Sequence, residues 1–123
     1  MSTITKEEFL QRVQSGQTVF DDIDMENVDL SGEQLEHLTF QNCFLAVDFR
    51  NCNLSNTKFL QSNIKTCDFR NANLTNVVMK NVSFESTRFK GAITKGFSFI
   101  DNYCYSKEGI GQTEFEDWIK DMD

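Results

Sequence analysis

The stretch that decides the fold is residues 47–91, which reads VDFRN CNLSN TKFLQ SNIKT CDFRN ANLTN VVMKN VSFES TRFKG. A large apolar residue stands third in every block of five, from Phe49 to Phe89. A small or β-branched residue stands first in every block, from Val47 to Thr87. Nine successive blocks follow the pattern, and an internal period of this kind is typical of solenoids.

A five-residue period fits neither an α-helix nor a flat β-strand. On an α-helix every fifth residue advances by about 140°, so the apolar residues would spread around all sides. On a flat strand side chains alternate between two faces, so Phe49 and Leu54 would point in opposite directions. The chain must therefore bend once in each block.

A second period, of twenty residues, predicts that four blocks close one coil. VDFRN at 47–51 returns as CDFRN at 67–71, and CNLSN at 52–56 returns as ANLTN at 72–76. Coils stacked about 4.8 Å apart would pair the backbone groups of one coil with those of the next. The absence of proline from the chain is consistent with such a hydrogen-bonded ladder.

CNLSN and ANLTN follow the pattern A(D/N)LxN, and this pattern resembles the pentapeptide-repeat family over residues 18–106. The resemblance implies an all-β solenoid, a right-handed quadrilateral β-helix of about four to five coils. It also implies that the central Leu or Phe and the preceding small residue lie inside the coil, with the other three positions outside.

The upstream blocks are one residue out of phase with Phe49, and a four-residue corner at 43–46 is predicted to absorb the slip. Glu33 stands where the family keeps a small residue. Downstream the pattern weakens at Thr94, but FSFID at 97–101 and NYCYS at 102–106 can complete a coil. The upstream centres are Phe20, Met25, Leu30, Leu35 and Phe40.

A capping helix is predicted at each end of the single 123-residue domain, in residues 1–17 and in residues 107–123. Thr5 and Glu8 have capping-box spacing, as do Thr113 and Glu116. The second helix would cap the last coil or join two copies of the chain into a homodimer. Its apolar side consists of Phe115, Trp118, Ile119 and Met122.

The sequence contains little that could carry catalysis. His37 is the only histidine, which leaves no multi-histidine metal site, and no glycine-rich phosphate loop is present. The four cysteines form no CxxC pair, so free buried thiols are expected. These observations predict a non-enzymatic protein with no cofactor and no metal. No signal peptide or membrane span is apparent, and a cytoplasmic location without membrane association is expected.

Charge is segregated along the chain. Residues 13–49 carry eight acidic and no basic residues, a net of −8. Residues 50–95 carry eight basic and two acidic residues, a net of +6, and residues 96–123 carry a net of −5. Position along the chain maps to height along a β-helix, so the rod is predicted to be banded negative, positive and negative. Solvation alone could also account for this arrangement.

Ten outward positions form a candidate interaction surface. Asp29, Asp48 and Asp68 are predicted to stack in one column, with a basic column beside it. Three apolar positions are predicted to form an interface patch, with scattered surface hydrophobes as the alternative interpretation. The positions are the acidic Asp24, Asp29, Glu36 and Asp48, the basic Arg50, Arg70 and Lys90, and the apolar Leu60, Val78 and Ile100.

The leading functional hypothesis is a protein-binding module whose partner is unidentified. One version is an acidic inhibitor, of the immunity type, of a basic toxin or nuclease. The resemblance offers an alternative, because some pentapeptide-repeat proteins resemble B-DNA, occupy type II topoisomerases such as gyrase, and protect against quinolones. A DNA mimic should be acidic along most of its length, whereas the middle band here is basic. Direct nucleic-acid binding is not expected at a net charge of −7.

Overall fold

The computed structural model describes residues 1–118. Within them, no helix is both long and apolar enough to cross a membrane. The elements in chain order are β1 Ser2–Thr3, α1 Lys6–Gln14, β2 Val19–Asp21, β3 Ile23–Asp29, β4 Thr39–Gln41, β5 Phe44–Asp48, β6 Lys58–Leu60, β7 Val78–Lys80, β8 Ser98–Ile100, β9 Asn102–Cys104, β10 Lys107–Ile110 and α2 Gln112–Trp118.

Five parallel strands, one from each coil, form the first side of the rod, in the order β2-β4-β6-β7-β8. Each pairs in register with its neighbour about one coil away in sequence. On the other sides of the rod, neighbouring coils pair through strands β3 and β5 and through isolated parallel bridges such as Asp48↔Asp68 and Asn53↔Asn73. The predicted solenoid is confirmed, with about five coils.

The interior is filled by the residues that the five-residue period places inside. The third residue of every block between Phe49 and Phe89 is fully buried, and the first residue is at most 4 % exposed. Phenylalanine rings stack along the axis, with Phe69 lying 5.2 Å from Phe49 and 5.4 Å from Phe89 between ring centroids. Stacked aromatic rings at this separation add to the stabilisation from burial.

Asparagine at the end of a block has a backbone role that the sequence pattern did not reveal. Asn51, Asn56, Asn71 and Asn76 all adopt the left-handed conformation, with φ between 58° and 62°. Asparagine tolerates this region better than most residues, so it can turn the chain at each corner. The Asp or Asn at the second position also turns the chain, because its side-chain oxygen accepts a hydrogen bond from the amide two residues later.

The phase slip lies at residues 43–46 as predicted, but residues 44–46 lie in a strand and not in a corner. Residues Phe44–Asp48 form the continuous strand β5, so the block centred on Leu45 lacks a left-handed corner residue. Leu45 and Val47 both point inward, as alternate residues of a straight strand must. The neighbouring strand β3, which pairs with β5, keeps its corner residue, Asn27, with φ of 57°. The hydrogen-bonded ladder between the two strands is therefore irregular between Glu26 and Val28. This missing corner residue causes the phase slip.

The predicted N-terminal cap is present. Thr5 is the N-cap of α1, and its Oγ1 accepts a hydrogen bond of 3.1 Å from the Glu8 amide. Phe9 is fully buried, with its ring centroid 4.8 Å from that of Phe20 in the first coil. Strand β1 adds to the ladder in parallel with β3, so the chain begins pairing with the solenoid before α1. The helix therefore covers one open end of the core.

The C-terminal segment differs from the prediction in two respects. Residues Lys107–Ile110 are a strand antiparallel to β9 and are not helical, because the chain turns back at left-handed Tyr105. Helix α2 begins at Gln112, and the Glu114 carboxylate accepts a hydrogen bond of 3.2 Å from the Gly111 amide. Thr113 therefore lies inside the helix, and the predicted Thr113 capping box is wrong.

Phe115 caps the last coil of its own chain. It is 2 % exposed, and its ring centroid lies 4.6 Å from that of Phe99 and 5.0 Å from that of Phe89. Ile119 and Met122, which were predicted to share the apolar side of this helix, lie outside the described residues. The helix ends at Trp118 in the described part of the chain.

Candidate protein-interaction surface

The most regular charged surface is the third side of the rod, called here the ladder face. Its first column runs Asp29, Asp48, Asp68 and Arg88, as the parallel pairing of these residues shows. Its second column lies two residues further along each coil and consists of Ser31, Arg50, Arg70 and Lys90. The predicted stacking of the three aspartates and of the three basic residues is observed.

Two rungs of the ladder face are paired within the chain. Arg50 donates from Nε to Asp48 Oδ1 at 3.0 Å and from Nη2 to Asp48 Oδ2 at 2.7 Å. Arg70 makes the same contacts to Asp68 at 2.9 and 2.7 Å. Burial alone would raise the pKa of Asp68, but the hydrogen bonds and charge of Arg70 outweigh burial and lower it. Both rungs are therefore close to electrically neutral.

The first rung has the same aspartate without an arginine. The Ser31 amide donates to Asp29 Oδ1 at 2.9 Å, just as the Arg50 amide donates to Asp48. Ser31 stands where arginine stands in the next two coils, and residues 1–118 contain no salt bridge to Asp29. The exposed Asp29 carboxyl has a lowered pKa, chiefly because of the hydrogen bonds from Ser31. It presents a negative charge to solvent.

A groove of about 460 Å³ borders the ladder face where the second coil lacks its corner residue. The groove is called here the notch. It exists because β5 runs straight past the position at which the other coils turn outward. Thr66 below it is left-handed at φ 63°, an unfavourable conformation for a β-branched residue. The notch is lined by Asn27, Val28, Ala46, Val47 and Thr66, with Asp29, Asp48 and Asp68 along one wall.

The remaining acidic candidates surround the first coil and do not form one cluster. Asp24 lies on the second side, in register with Phe44, and its Oδ1 is buried without a hydrogen-bond partner among the described residues. Glu36 lies on the fourth side and accepts a hydrogen bond of 2.7 Å from Asn53 Nδ2. Together with Asp29 on the third side they form a belt around the coil, which we call the acidic belt.

The apolar candidates are not brought together. Leu60 and Ile100 share a column on the first side, but Lys80 lies between them. Val78 lies in the other column of that side, paired with Lys58 above and Ser98 below. Ile100 is exposed, whereas Leu60 and Val78 are partly buried. The structure therefore places three separate apolar side chains where the sequence pattern predicted a patch.

The cysteine thiols behave as packing groups. Cys43, Cys52 and Cys67 are buried and free, and Cys52 Sγ donates to the Leu30 carbonyl of the preceding coil at 2.9 Å. Burial raises the pKa of Cys52 to about 11 and that of Cys67 to about 12, which disfavours the reactive thiolate. Among residues 1–118, no group of His, Cys, Asp and Glu side chains is arranged to hold a metal ion.

The chain is a parallel solenoid of five-residue blocks, and its charged side chains lie in columns of outward residues. These features place it in the class of quadrilateral repeat proteins. The family model for pentapeptide repeats matches this chain over residues 34–71, 43–81 and 65–93, with 8 copies. The chain belongs to the pentapeptide-repeat family. No curated protein matches its sequence significantly.

Among solved structures, the chain is similar to two trypsin-treated forms of QnrB1, a plasmid-mediated fluoroquinolone resistance protein. The TM-scores are 0.67 and 0.66, and the sequence identity is 18 % in both cases. Each match covers 70 % of this chain but only 47 % of the QnrB1 chain. At this identity the similarity establishes a shared solenoid fold, and this chain spans about half the length of the protein that it matches.

Proposed function

We propose that the protein acts without catalysis, as a single-domain binding module whose first coil docks a basic protein. The observation that carries the proposal is the contrast between paired and unpaired carboxylates. Asp48 and Asp68 are neutralised by arginines of their own coils, whereas Asp29 makes no salt bridge within residues 1–118. Exposed charge of one sign attracts and orients partners of the opposite sign.

Further support comes from the interior, which is filled with side chains. The phenylalanine stack and the buried first-position residues occupy the space inside the coils, so the available surfaces are the four outer sides. Specificity then depends on which side chains project from each side. An acidic inhibitor of a basic toxin or nuclease, acting in the cytoplasm, is the version that best fits a net charge of −8 over residues 13–49.

The experiment is affinity capture with two charge-reversed variants of equal charge change. The first carries Asp24→Lys, Asp29→Lys and Glu36→Lys in the acidic belt. The matched control carries Asp101→Lys, Glu108→Lys and Asp117→Lys near the other end, where all three residues are exposed. We expect the first variant to lose the partner captured by the unmodified chain and the control to retain it. Equal capture by both variants would refute the proposal.

A second candidate function is protection of a type II topoisomerase by mimicry of DNA. The fold shared with QnrB1, itself a fluoroquinolone resistance protein, favours it. The basic middle band argues against it, and five coils give a rod of only about 20–25 Å. If this candidate is right, saturating protein will reduce fluoroquinolone-stabilised cleavage by gyrase. Unchanged cleavage and unchanged supercoiling would exclude it.

A homodimer through the C-terminal helix would lengthen the rod, and this assembly is also a proposal. Phe115 is occupied by its own last coil, so the contact would have to use residues beyond it. Light scattering coupled to size exclusion should compare the chain with its Ile119→Glu variant. A dimer that becomes a monomer on substitution supports the assembly, and a monomer in both samples excludes it.

A further inference from the structure

The ladder face shows twice how this backbone binds a guanidinium group. In the second and third coils the aspartate Oδ1 accepts the amide two residues later, which fixes the plane of the carboxylate. The arginine side chain then contacts both oxygens, through Nε and Nη2. Two contacts of this kind are stronger and more directional than a single ion pair. The arrangement is repeated in two successive coils of one structure.

The first coil reproduces the aspartate half of this arrangement. Asp29 pairs in register with Asp48, and its Oδ1 accepts the Ser31 amide at 2.9 Å. The backbone after Asp29 keeps the same register with the second coil that the second coil keeps with the third. The Gly32 amide donates to the Arg50 carbonyl, and the Asn51 amide donates to the Arg70 carbonyl. The carboxylate is therefore held in the same orientation as those of Asp48 and Asp68. The Ser31 side chain also hydrogen-bonds this carboxylate and Lys6 and Arg50 contribute positive charge nearby, but Asp29 is exposed and makes no salt bridge within residues 1–118.

The notch supplies an apolar surface directly beside this carboxylate. Asp29 lines it together with Val28 and Ala46, both of which are partly exposed. An arginine side chain has three methylene groups before its guanidinium, and these groups pack well on apolar surface while the charge stays at a carboxylate. The combination of an oriented carboxylate and an adjacent apolar floor fits an arginine better than a bare cation.

We propose that Asp29 binds an arginine side chain of the protein partner through both carboxylate oxygens, as Asp48 and Asp68 bind Arg50 and Arg70 on the next two rungs, with the stem approaching from the notch. The arginine stem lies along Val28 and Ala46. The inference rests on the proposed function, since it specifies one contact of the basic partner with the acidic belt. It predicts that the partner presents arginine at this contact, because lysine has a single ammonium group and cannot match both carboxylate oxygens.

The test is an NMR titration of the full chain with the tripeptide acetyl-Ala-Arg-Ala-amide and, separately, with acetyl-Ala-Lys-Ala-amide. The Ser31 amide is the reporter, because it donates to the carboxylate in question. We expect its signal to shift with the arginine peptide and to shift several-fold less with the lysine peptide. Asp29→Asn should weaken arginine binding by about tenfold or more, and Asp101→Asn, an exposed change of equal charge, should leave it unchanged.

A Ser31→Arg variant provides the sharpest control. Its guanidinium should pair with Asp29 as Arg50 pairs with Asp48, so the variant should fold normally and lose the response to the peptide. Equal responses to the two peptides, or a response that survives Asp29→Asn or Ser31→Arg, would overturn the inference. The capture experiment stays separate from this one. Partner loss on reversal of the acidic belt, with no arginine response at Ser31, would uphold the proposed function and refute this contact.

Discussion

The first coil and the third coil share an interior but differ in their surfaces. Leu30 and Phe69 occupy equivalent buried positions on the third side, and both are fully enclosed. Outside, Asp68 is held by Arg70, whereas Asp29 faces Ser31 and solvent. The third coil turns at every corner, whereas the ladder between the first and second coils carries the bulge at Asn27 and the notch. Of these two coils, the one bordered by the irregular ladder is also the one whose aspartate makes no salt bridge within residues 1–118.

This difference separates two kinds of constraint on the sequence. The interior positions must satisfy packing in every coil, so they follow one rule throughout the rod. The outward positions need only be soluble, and they can therefore diverge where a partner is bound. Under the proposed function, the first coil, and not the regular middle coils, carries the surface that binds the partner. Substitutions inside and outside the coils test the two constraints separately.

The largest effect is expected in the interior of the middle coils. Phe69→Ala should lower the free energy of unfolding by about 3–5 kcal/mol, because the ring stacks on neighbours in both adjacent coils. Phe69→Leu, which keeps most of the volume, should cost less than about 1.5 kcal/mol. Denaturant titration followed by circular dichroism measures both values. A loss below about 1 kcal/mol for the alanine variant would contradict a tightly stacked core.

The next largest effect is expected at glycines that occupy the same corner position in the first and fourth coils. Gly32 and Gly91 are both left-handed, at φ of 77° and 78°. A Cβ on Gly91 would lie 2.2 Å from Asn71 Oδ1, whereas a Cβ on Gly32 would meet no atom within 4 Å. Gly32→Ala should therefore cost about 1 kcal/mol from backbone strain alone, and Gly91→Ala about 2–3 kcal/mol. Equal losses in thermal or denaturant unfolding would mean that the Asn71 side chain turns away from the new Cβ at no cost.

A smaller effect, of opposite sign, is expected at the notch. Thr66 is β-branched and left-handed at φ 63°, whereas Asn56 and Asn76 serve the equivalent role at other corners. Thr66→Asn should raise the free energy of unfolding by about 0.5–1 kcal/mol through relief of this strain. Asn76→Thr, the reverse change at a regular corner, should lower it by a similar amount. A destabilised Thr66→Asn variant would show that the threonine makes a compensating contact.

The smallest effect concerns pH. The pKa of Asp68 is lowered in the folded chain, so its contribution to stability is present above the unfolded value of about 3.9 and is lost as the pH falls through the folded value. Arg70→Gln should remove part of this contribution and flatten the loss of stability below about pH 4. Ser31→Lys on the first rung should steepen it, since it adds a cation beside Asp29. Unfolding curves measured between neutral and acidic pH distinguish these outcomes.

The interior could be predicted from the sequence because one rule is repeated nine times, and each central residue from Phe49 to Phe89 proved to be buried. The position of the phase slip, at residues 43–46, was also predicted from the sequence, but its structural form was not. Leu45 and Val47 are both apolar, and only the pairing of β5 with β3 shows that a corner residue is missing between them. The C-terminal helix was predicted to begin with a capping box at Thr113, but it begins at Gln112, and Phe115 packs on Phe99.

The surface was predicted in part, for a reason of spacing. Asp48 and Asp68 are twenty residues apart and therefore stack in one column. Leu60 and Val78 are eighteen residues apart, and this interval places them in different columns on either side of the Met79 row. The unusual status of Asp29 follows only from comparing three rungs whose hydrogen bonds are known. The sequence shows Ser31 in place of arginine but does not show that the carboxylate is held in the same orientation.

Docking of a basic partner on the first coil can be tested directly by carboxylate footprinting of the complex with the captured partner. Carbodiimide labelling followed by mass spectrometry compares the modification rates of individual Asp and Glu residues in the free and bound chain. We predict that the partner slows labelling of Asp24, Asp29 and Glu36 and leaves Asp101 and Glu108 unaffected. Protection at Asp101 and Glu108 with unchanged labelling of Asp29 would place the partner at the opposite end of the rod and contradict docking on the first coil.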